Sequence, residues 1–350
     1  MLLVDKQRPT SLEAMDFHKD ISQNLMKMAN SEDIPHILFY GPSGAGKKTR
    51  IMALLRAMFG NGVEKLRVEK REFKTPSQKT VEITAVASNY HIELNPSDVG
   101  LYDYVVVQEI IKEIAQYKQL DASAKHPYKV VVLNEVDNLS RNAQAGLRRT
   151  MEKYTGSCRL ILCCENSGRI IPPIRSRCLC IRVAAPTPLE IMTILKQNCQ
   201  KENLPLVAEQ LQRIVQASHR NLRRALLLLE ASTLPGAGGT KGTDVELMDW
   251  ERFIMMIVQR ILEEQSPQSL LTIRGYYYEL LTRLIPAPVI LKEIVKQLIA
   301  RCPSKSLQME TVCWASTYEQ KMRQGGKEIV FLEAFTARFM SLYKQNLLRK

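Results

Sequence analysis

The sequence predicts an α/β protein, a parallel sheet with helices on both faces, followed by a region built from helices alone. Three observations predict it. Short apolar runs that read as buried strands alternate with helical patterns as far as residue 185, and the alternation stops after Pro186. A stretch rich in Gly, Pro and Thr, STLPGAGGTKGTD (232–244), then separates two helical regions and is the best linker in the chain.

The elements follow in order. IPHILFY (34–40) is a short apolar run ending in a glycine-rich turn and reads as a buried strand. KKTRIMALLRAMFG (47–60) has apolar residues at helical spacing and stops at Gly60. Residues 61–97 mix short β-type stretches (TVEITAVA, YHIEL) with polar turns. A helical pattern covers 103–119, and its apolar face fits ordinary core packing. HPYKVVVLNEVD (126–137) is a second buried strand ending in acids. Residues 141–154 read as a helix with Ser140 as N-cap. CRLILCCEN (158–166) and CLCIRVAA (178–185) read as a third and fourth buried strand. Residues 188–203, 206–218 and 220–232 read as three helices with no strand between them. The expected domains are an α/β core (1–185), a small helical domain (186–235) and a C-terminal helical bundle (245–350).

Composition narrows the class. The 350 residues are 45% hydrophobic and 24% charged, as in a globular protein, and no apolar run is long enough to cross a bilayer. The first 17 residues lack the apolar core of a signal peptide, so an intracellular protein with no membrane partner is expected. The net charge of +13 favours a polyanionic partner such as nucleic acid; a solvated basic surface is the alternative. None of the eight cysteines forms a CxxC pair, so zinc is not expected, and buried reduced thiols are.

The chemistry lies in two strand ends. Gly41-Pro42-Ser43-Gly44-Ala45-Gly46-Lys47 satisfies the phosphate-loop pattern G-x-x-x-x-G-K between a strand and a helix. Its backbone N–H groups and the helix N-terminus make an anion cradle, and Lys47 is placed to reach β- and γ-phosphates. The next position should carry the Ser or Thr hydroxyl that ligates Mg²⁺. Lys48 stands there, with Thr49 one residue late. On a helix that slip turns a side chain by about 100°, so Thr49 is not expected to substitute. The second strand, VVVLNEVD (130–137), resembles a Walker B strand, but the metal-binding Asp position holds Asn134, while Glu135 survives as the water-polarising acid. An amide is a poorer Mg²⁺ partner than a carboxylate, and Asp137 is a partial substitute at best. The paired changes predict ATP or ADP binding with Mg²⁺ held weakly or not at all, and weak or absent hydrolysis.

The order of motifs resembles one family, the small subunits of the eukaryotic clamp loader, replication factor C. DKQRPTSL (5–12) is similar to its E-K-x-R-P box, NEVDNLSRNAQAGLRRTMEKY (134–154) to its Walker B strand and following helix, IIPPIRSRC (170–178) to its Ser-Arg-Cys box, and HRNLRRAL (219–226) to its sensor-2 helix. The pairing of GKKT with NEVD resembles the member with degenerate ATPase motifs. The resemblance implies an AAA+ P-loop core, a helical lid and an all-α collar. It also implies a nuclear hetero-pentamer that loads the sliding clamp (PCNA) onto primer-template DNA in replication and repair.

It further implies residue roles. Arg177, in Ser176-Arg177-Cys178, matches an arginine finger acting in a neighbour's ATP site; its planar fork meets phosphate oxygens in pairs, and a surface arginine is the alternative. Asn166 matches sensor 1, against an asparagine capping a strand end. Arg223 matches the sensor-2 arginine, with Arg224 the runner-up. Arg8 and Pro9 match the box lying on the nucleotide. Arg141, Arg148 and Arg149 are candidates for DNA phosphates, against a solvated face or a subunit contact. Two rival readings are a self-sufficient AAA+ DNA motor and a scaffold with a vestigial nucleotide site.

Overall fold

Seven strands form one sheet: β1 (His36–Tyr40), β2 (Arg67–Lys74), β3 (Thr80–Ala87), β4 (His91–Leu94), β5 (Lys129–Leu133), β6 (Cys158–Cys164) and β7 (Cys178–Arg182), in the order β2-β3-β4-β5-β6-β1-β7. β4, β5, β6, β1 and β7 are parallel. β2 pairs antiparallel with β3, and β3 antiparallel with β4. The sheet is therefore mixed, and the expected parallel sheet is its five-strand part. The computed structural model describes residues 1–31, 33–74, 80–116, 128–204, 208–233, 248–302 and 304–348. Most of the linker expected at 232–244, the last residues of the helix expected over 103–119, and parts of the segments expected at 126–137 and 206–218 lie outside these.

In the first 245 residues, a compact unit, the helices are α1 (Leu3–Lys6), α2 (Lys19–Asn30), α3 (Lys47–Phe59), α4 (Asp103–Gln116), α5 (Arg141–Lys153), α6 (Pro172–Arg175), α7 (Pro188–Glu202), α8 (Ala208–Ala217) and α9 (Leu222–Thr233). Strand side chains alternate between the two faces, and each face has its own core. Leu38, Val131, Leu133, Leu160 and Leu162 pack with Val106 and Ile110 of α4 and Leu147 of α5. Ile37, Phe39, Val130, Val132 and Ile161 pack with Leu25 of α2 and Ile51, Leu54 and Leu55 of α3. Both faces of the central strands are dry, which is why their sequences read as continuous apolar runs.

Two strands depart from expectation. β7 was expected to be buried, yet Leu179, Cys180 and Arg182 are exposed, because β7 is the last strand of the sheet and pairs only with β1. β2, RVEKREFK, is too charged to be recognised as a strand; pairing along its whole length with β3 makes it one, and Arg71 is bridged to Glu69 (2.9 Å) and to Glu113 of α4 (2.8 Å). Cys158, Cys163, Cys164, Cys199 and Cys302 are buried free thiols, as expected, but Cys178 is only half-buried, and Cys180 and Cys313 are exposed. Burial raises Cys163 to about 11 and Cys164 to about 12, so neither is a thiolate at neutral pH.

Ser140 caps α5 as predicted: its Oγ accepts from the Ala143 amide at 3.1 Å and donates to Asp103 Oδ1 at 2.9 Å. Arg50 of α3 is fully buried. It donates to Ser22 Oγ (2.8 Å) and the Phe17 carbonyl (2.7 Å) and lies over the Phe17 ring, fixing residues 17–22 to the helix that follows the phosphate loop. In the lid, α7 starts with a capping box between Thr187 and Glu190, and α7, α8 and α9 share a small core.

Residues 246–350 form a second compact unit. Its helices are α10 (Asp249–Glu263), α11 (Pro267–Thr282), α12 (Ala287–Arg301), α13 (Lys305–Gln324) and α14 (Glu328–Leu348). Buried Tyr277 is hydrogen-bonded to Thr336 (2.6 Å) within a core that includes Ile257, Ile290, Phe335 and Phe339. Among the described residues, no helix is long and apolar enough to cross a membrane.

Two buried histidines make the core unit sensitive to acid. His36 Nδ1 accepts from the Leu160 amide (3.0 Å), and His91 Nδ1 pairs with Ser88 Oγ (2.7 Å). Burial depresses both below the usual histidine range. The unfolded chain takes up protons below about pH 6.5 that the folded chain refuses, so stability present above that pH is lost as pH falls. The urea midpoint is expected to drop as pH is lowered from about 7 to about 5; an unchanged midpoint contradicts the neutral assignment.

Candidate nucleotide-binding site

The parallel arrangement brings the C-terminal ends of β1, β4, β5 and β6 to one edge of the sheet, where α/β proteins place ligands. The phosphate loop leaves β1 there and enters α3 at Lys47. Gly41 (φ 149°), Gly44 (φ 72°) and Gly46 (φ 82°) take positive φ. At two of them a side chain would also collide: a Cβ on Gly41 would lie 2.0 Å from the Val183 carbonyl oxygen, and one on Gly44 would lie 1.9 Å from Asn221 Oδ1 of the lid. Ala45, within the loop, is buried. Lys47 Nζ donates to the carbonyls of Gly41 (2.7 Å) and Pro42 (2.9 Å), which holds its ammonium against the loop.

Two cavities meet at this loop. One, of about 290 Å³, is lined by Arg8, Pro9, Phe17, Thr49, Ile194 and Arg223 among others, a mixture of apolar and polar groups that suits a base and sugar. The other, of about 260 Å³, is lined by Ser43, Lys47, Lys48, Asn134, Glu135 and Glu165 among others, and is polar and charged. Arg8, Gly44, Gly46, Thr49 and Arg223 line both. The N-terminal box is held over the first cavity by the lid: the Leu3 amide donates to Glu230 (3.1 Å), and Lys6 (2.6 Å) and Gln7 (2.5 Å) grip Glu202. Those two hydrogen bonds lower the Glu202 pKa.

At the metal-ligand positions, Lys48 forms an ion pair with Glu93, the third residue of β4, and Asn134 Nδ2 donates to the same oxygen, Glu93 Oε1, at 2.7 Å. The Glu93 side chain is only 10% exposed. Sequence reasoning missed Glu93, although an acid inside the buried strand HIEL is itself a signal that a cationic partner must be near. Glu135 has φ 52° and accepts from Asn138 Nδ2 (3.1 Å). Left-handed backbone is uncommon at a residue other than glycine and clusters at functional sites. Asp137 turns away: its Oδ2 accepts the amides of Glu165 (3.3 Å) and Asn166 (3.1 Å), so it does not stand in for the missing metal ligand. Asn166 caps a short turn by accepting from the Gly168 amide (2.8 Å), and Glu165, not Asn166, lines the charged cavity.

The C-terminal helices match the family model "Replication factor C subunit 3, C-terminal domain" over residues 250–347. Residues 193–234 match "RCF1/5-like, AAA+ ATPase lid domain", and residues 17–187 match "DNA polymerase III, delta subunit". Along its length the chain is 48% identical to replication factor C subunit 3 of Mus musculus, covering 98% of this chain and 96% of that one. It is 49% identical to replication factor C subunit 5 of Neurospora crassa, covering 99% and 98%. The chain belongs to the replication factor C family. Two point mutants of Thermotoga maritima RuvB share the fold, with TM-scores of 0.50 and 0.51 at 14% and 15% identity, each covering 84% of this chain and 90% of the other. The architecture is thus an AAA+ α/β core with a helical lid, followed by an all-helical region.

The remaining residues marked by the replication factor C motifs lie away from the cavities. Arg177 follows α6 and is half-buried. Its Nε (2.7 Å) and Nη2 (2.5 Å) donate to Glu152 Oε1, and its Nη1 donates to the Pro173 carbonyl (2.9 Å). Arg141 opens α5 and is exposed; Arg148 and Arg149 are exposed further along the same helix, with Arg148 3.7 Å from Glu152.

The loop geometry gives a direct test. Gly41→Ala adds backbone strain and a collision with Val183, whereas Gly60→Ala adds only strain, since nothing lies within 4 Å of its Cβ. Gly41→Ala is expected to destabilise the chain by about 1–3 kcal/mol more than Gly60→Ala in urea unfolding. Equal losses contradict the close approach.

Proposed function

We propose that this chain is a subunit of the replication factor C clamp loader that retains nucleotide at its own site without hydrolysing it efficiently. Its contribution to catalysis is made through Arg177, at a neighbouring subunit's site. One observation carries the first half: the two positions that should ligate Mg²⁺ are occupied by Lys48 and Asn134, and both are turned onto Glu93. A hydrolytic site of this class needs the metal to bridge β- and γ-oxygens and neutralise developing charge. The intact loop, Lys47 and the two adjoining cavities favour retained binding of ATP or ADP over a vestigial site. The same substitutions speak against a self-sufficient motor.

In this reading the chain works in a nuclear hetero-pentamer with other replication factor C subunits. The complex opens the sliding clamp, PCNA, and closes it around primer-template DNA during replication and repair. We assign residues 1–185 to the AAA+ domain, 186–235 to the lid and 245–350 to the oligomerisation collar. Arg8, Pro9, the loop residues 41–49 and Arg223 contact nucleotide, with Asn166 as sensor 1 and Glu135 as the remnant catalytic acid. Arg141, at the exposed start of α5, and Arg148 and Arg149 contact DNA phosphates, which positions the duplex without reading its sequence. The net charge of +13 fits that partner.

Arg177 supports the second half. Its guanidinium lies outside this chain's own nucleotide cavities and is tied to Glu152 and Pro173, so it must exchange the Glu152 carboxylate for a neighbour's γ-phosphate oxygens, a ligand of the same charge and fork geometry. Removing such a finger from a P-loop enzyme costs about 10³–10⁵ in rate at the site it serves. Arg177→Ala is expected to leave this chain's own nucleotide content unchanged and to lower ATP hydrolysis by the assembled complex. Unchanged hydrolysis by the mutant complex contradicts the assignment.

A further inference from the structure

The residues at the metal position do not fit a divalent cation. Mg²⁺ requires hard oxygen ligands in near-octahedral geometry. Where a hydroxyl and a carboxylate should stand, this site presents the Lys48 ammonium and the Asn134 amide, and both donate to Glu93. Of the nearby acids, Glu135 accepts from Asn138 and Asp137 accepts two backbone amides, which among the described residues leaves Glu165 as a lone carboxylate on the cavity wall, too few hard oxygens for the ion. A divalent ion placed among them would also be repelled by the positive charge of Lys48.

The same geometry supplies an alternative. Glu93, nearly buried at the end of β4, fixes the Lys48 ammonium on the wall of the charged cavity beside Lys47. An ammonium has three donors, and the ion pair with Glu93 uses one. We infer that this site binds the nucleotide's phosphates without a divalent cation, Lys48 supplying the charge that a metal supplies elsewhere and Glu93 acting as the residue that positions it. The inference rests on the reading that the chain retains nucleotide, and it adds that retention is independent of Mg²⁺.

The test is titration of the full chain with the fluorescent analogue mant-ADP, in millimolar Mg²⁺ and again in excess EDTA. The expected result is the same Kd in both buffers. Lys48→Ala is expected to weaken binding about tenfold in both, the loss of one charge-assisted contact. The double variant Lys48→Thr, Asn134→Asp restores a hydroxyl and a carboxylate and is expected to bind with Mg²⁺ and to lose binding in EDTA. Circular dichroism melts without nucleotide establish that each variant is folded. Wild-type binding that disappears in EDTA overturns this inference and leaves the nucleotide-retaining reading standing. No binding by the folded wild-type chain in either buffer overturns both. A Kd unchanged in Lys48→Ala removes the lysine from the phosphate site.

Discussion

A carboxylate withdrawn from water requires compensation, and Glu93 receives it twice, from the Lys48 ammonium and the Asn134 amide. The three residues come from three elements: the end of β4, the start of α3 and the turn after β5. Glu93 therefore ties the phosphate loop to the Walker B strand through protein groups, where an ordinary P-loop site makes the corresponding link through a metal. Removing Lys48 would leave the Glu93 carboxylate without a counter-charge and with the Asn134 amide alone, which is more costly than losing the net worth of the pair.

The sheet makes this meeting possible. Because β4, β5, β6 and β1 are parallel, their C-terminal ends share one edge, and each contributes a residue or a loop to the same cleft. The buried middles of the strands supply the rigidity. Ile37, Phe39, Val130, Val132 and Ile161 bind one face to α2 and α3, so a shift of the loop would disturb a packed core. The lid closes the other side through Asn221 against Gly44 and through Glu202 and Glu230 on the N-terminal segment. Ile194, Leu222 and Arg223 of the lid thereby line the first cavity together with Arg8 and Pro9.

Much of this was legible in the residues. The central strands are dry on both faces, so VVVL and LILCC could be recognised as strands without alignment, and Ser140 marked the start of α5 because its hydroxyl answers an orphan amide. The metal-position losses at Lys48 and Asn134 were visible from spacing alone. What was hidden was long-range pairing. Six of the eight residues of β2 are charged, and it is a strand because β3 lies beside it. β7 looked buried because CLCI is apolar, but its place at the edge of the sheet exposes it. Glu93 is distant in sequence from Lys48 and Asn134, and only the sheet order brings it to them. Asn166 follows β6, and its side chain caps a short turn, close to the capping alternative that its place at a strand end had left open.

The central claim is that this chain retains nucleotide without consuming it. The most direct measurement is the nucleotide content of the purified chain together with its turnover of ATP in the absence of other subunits. Tight retention with turnover at background is the predicted result. Turnover of about 1 s⁻¹ or faster, in the ordinary range of enzymes, would contradict it.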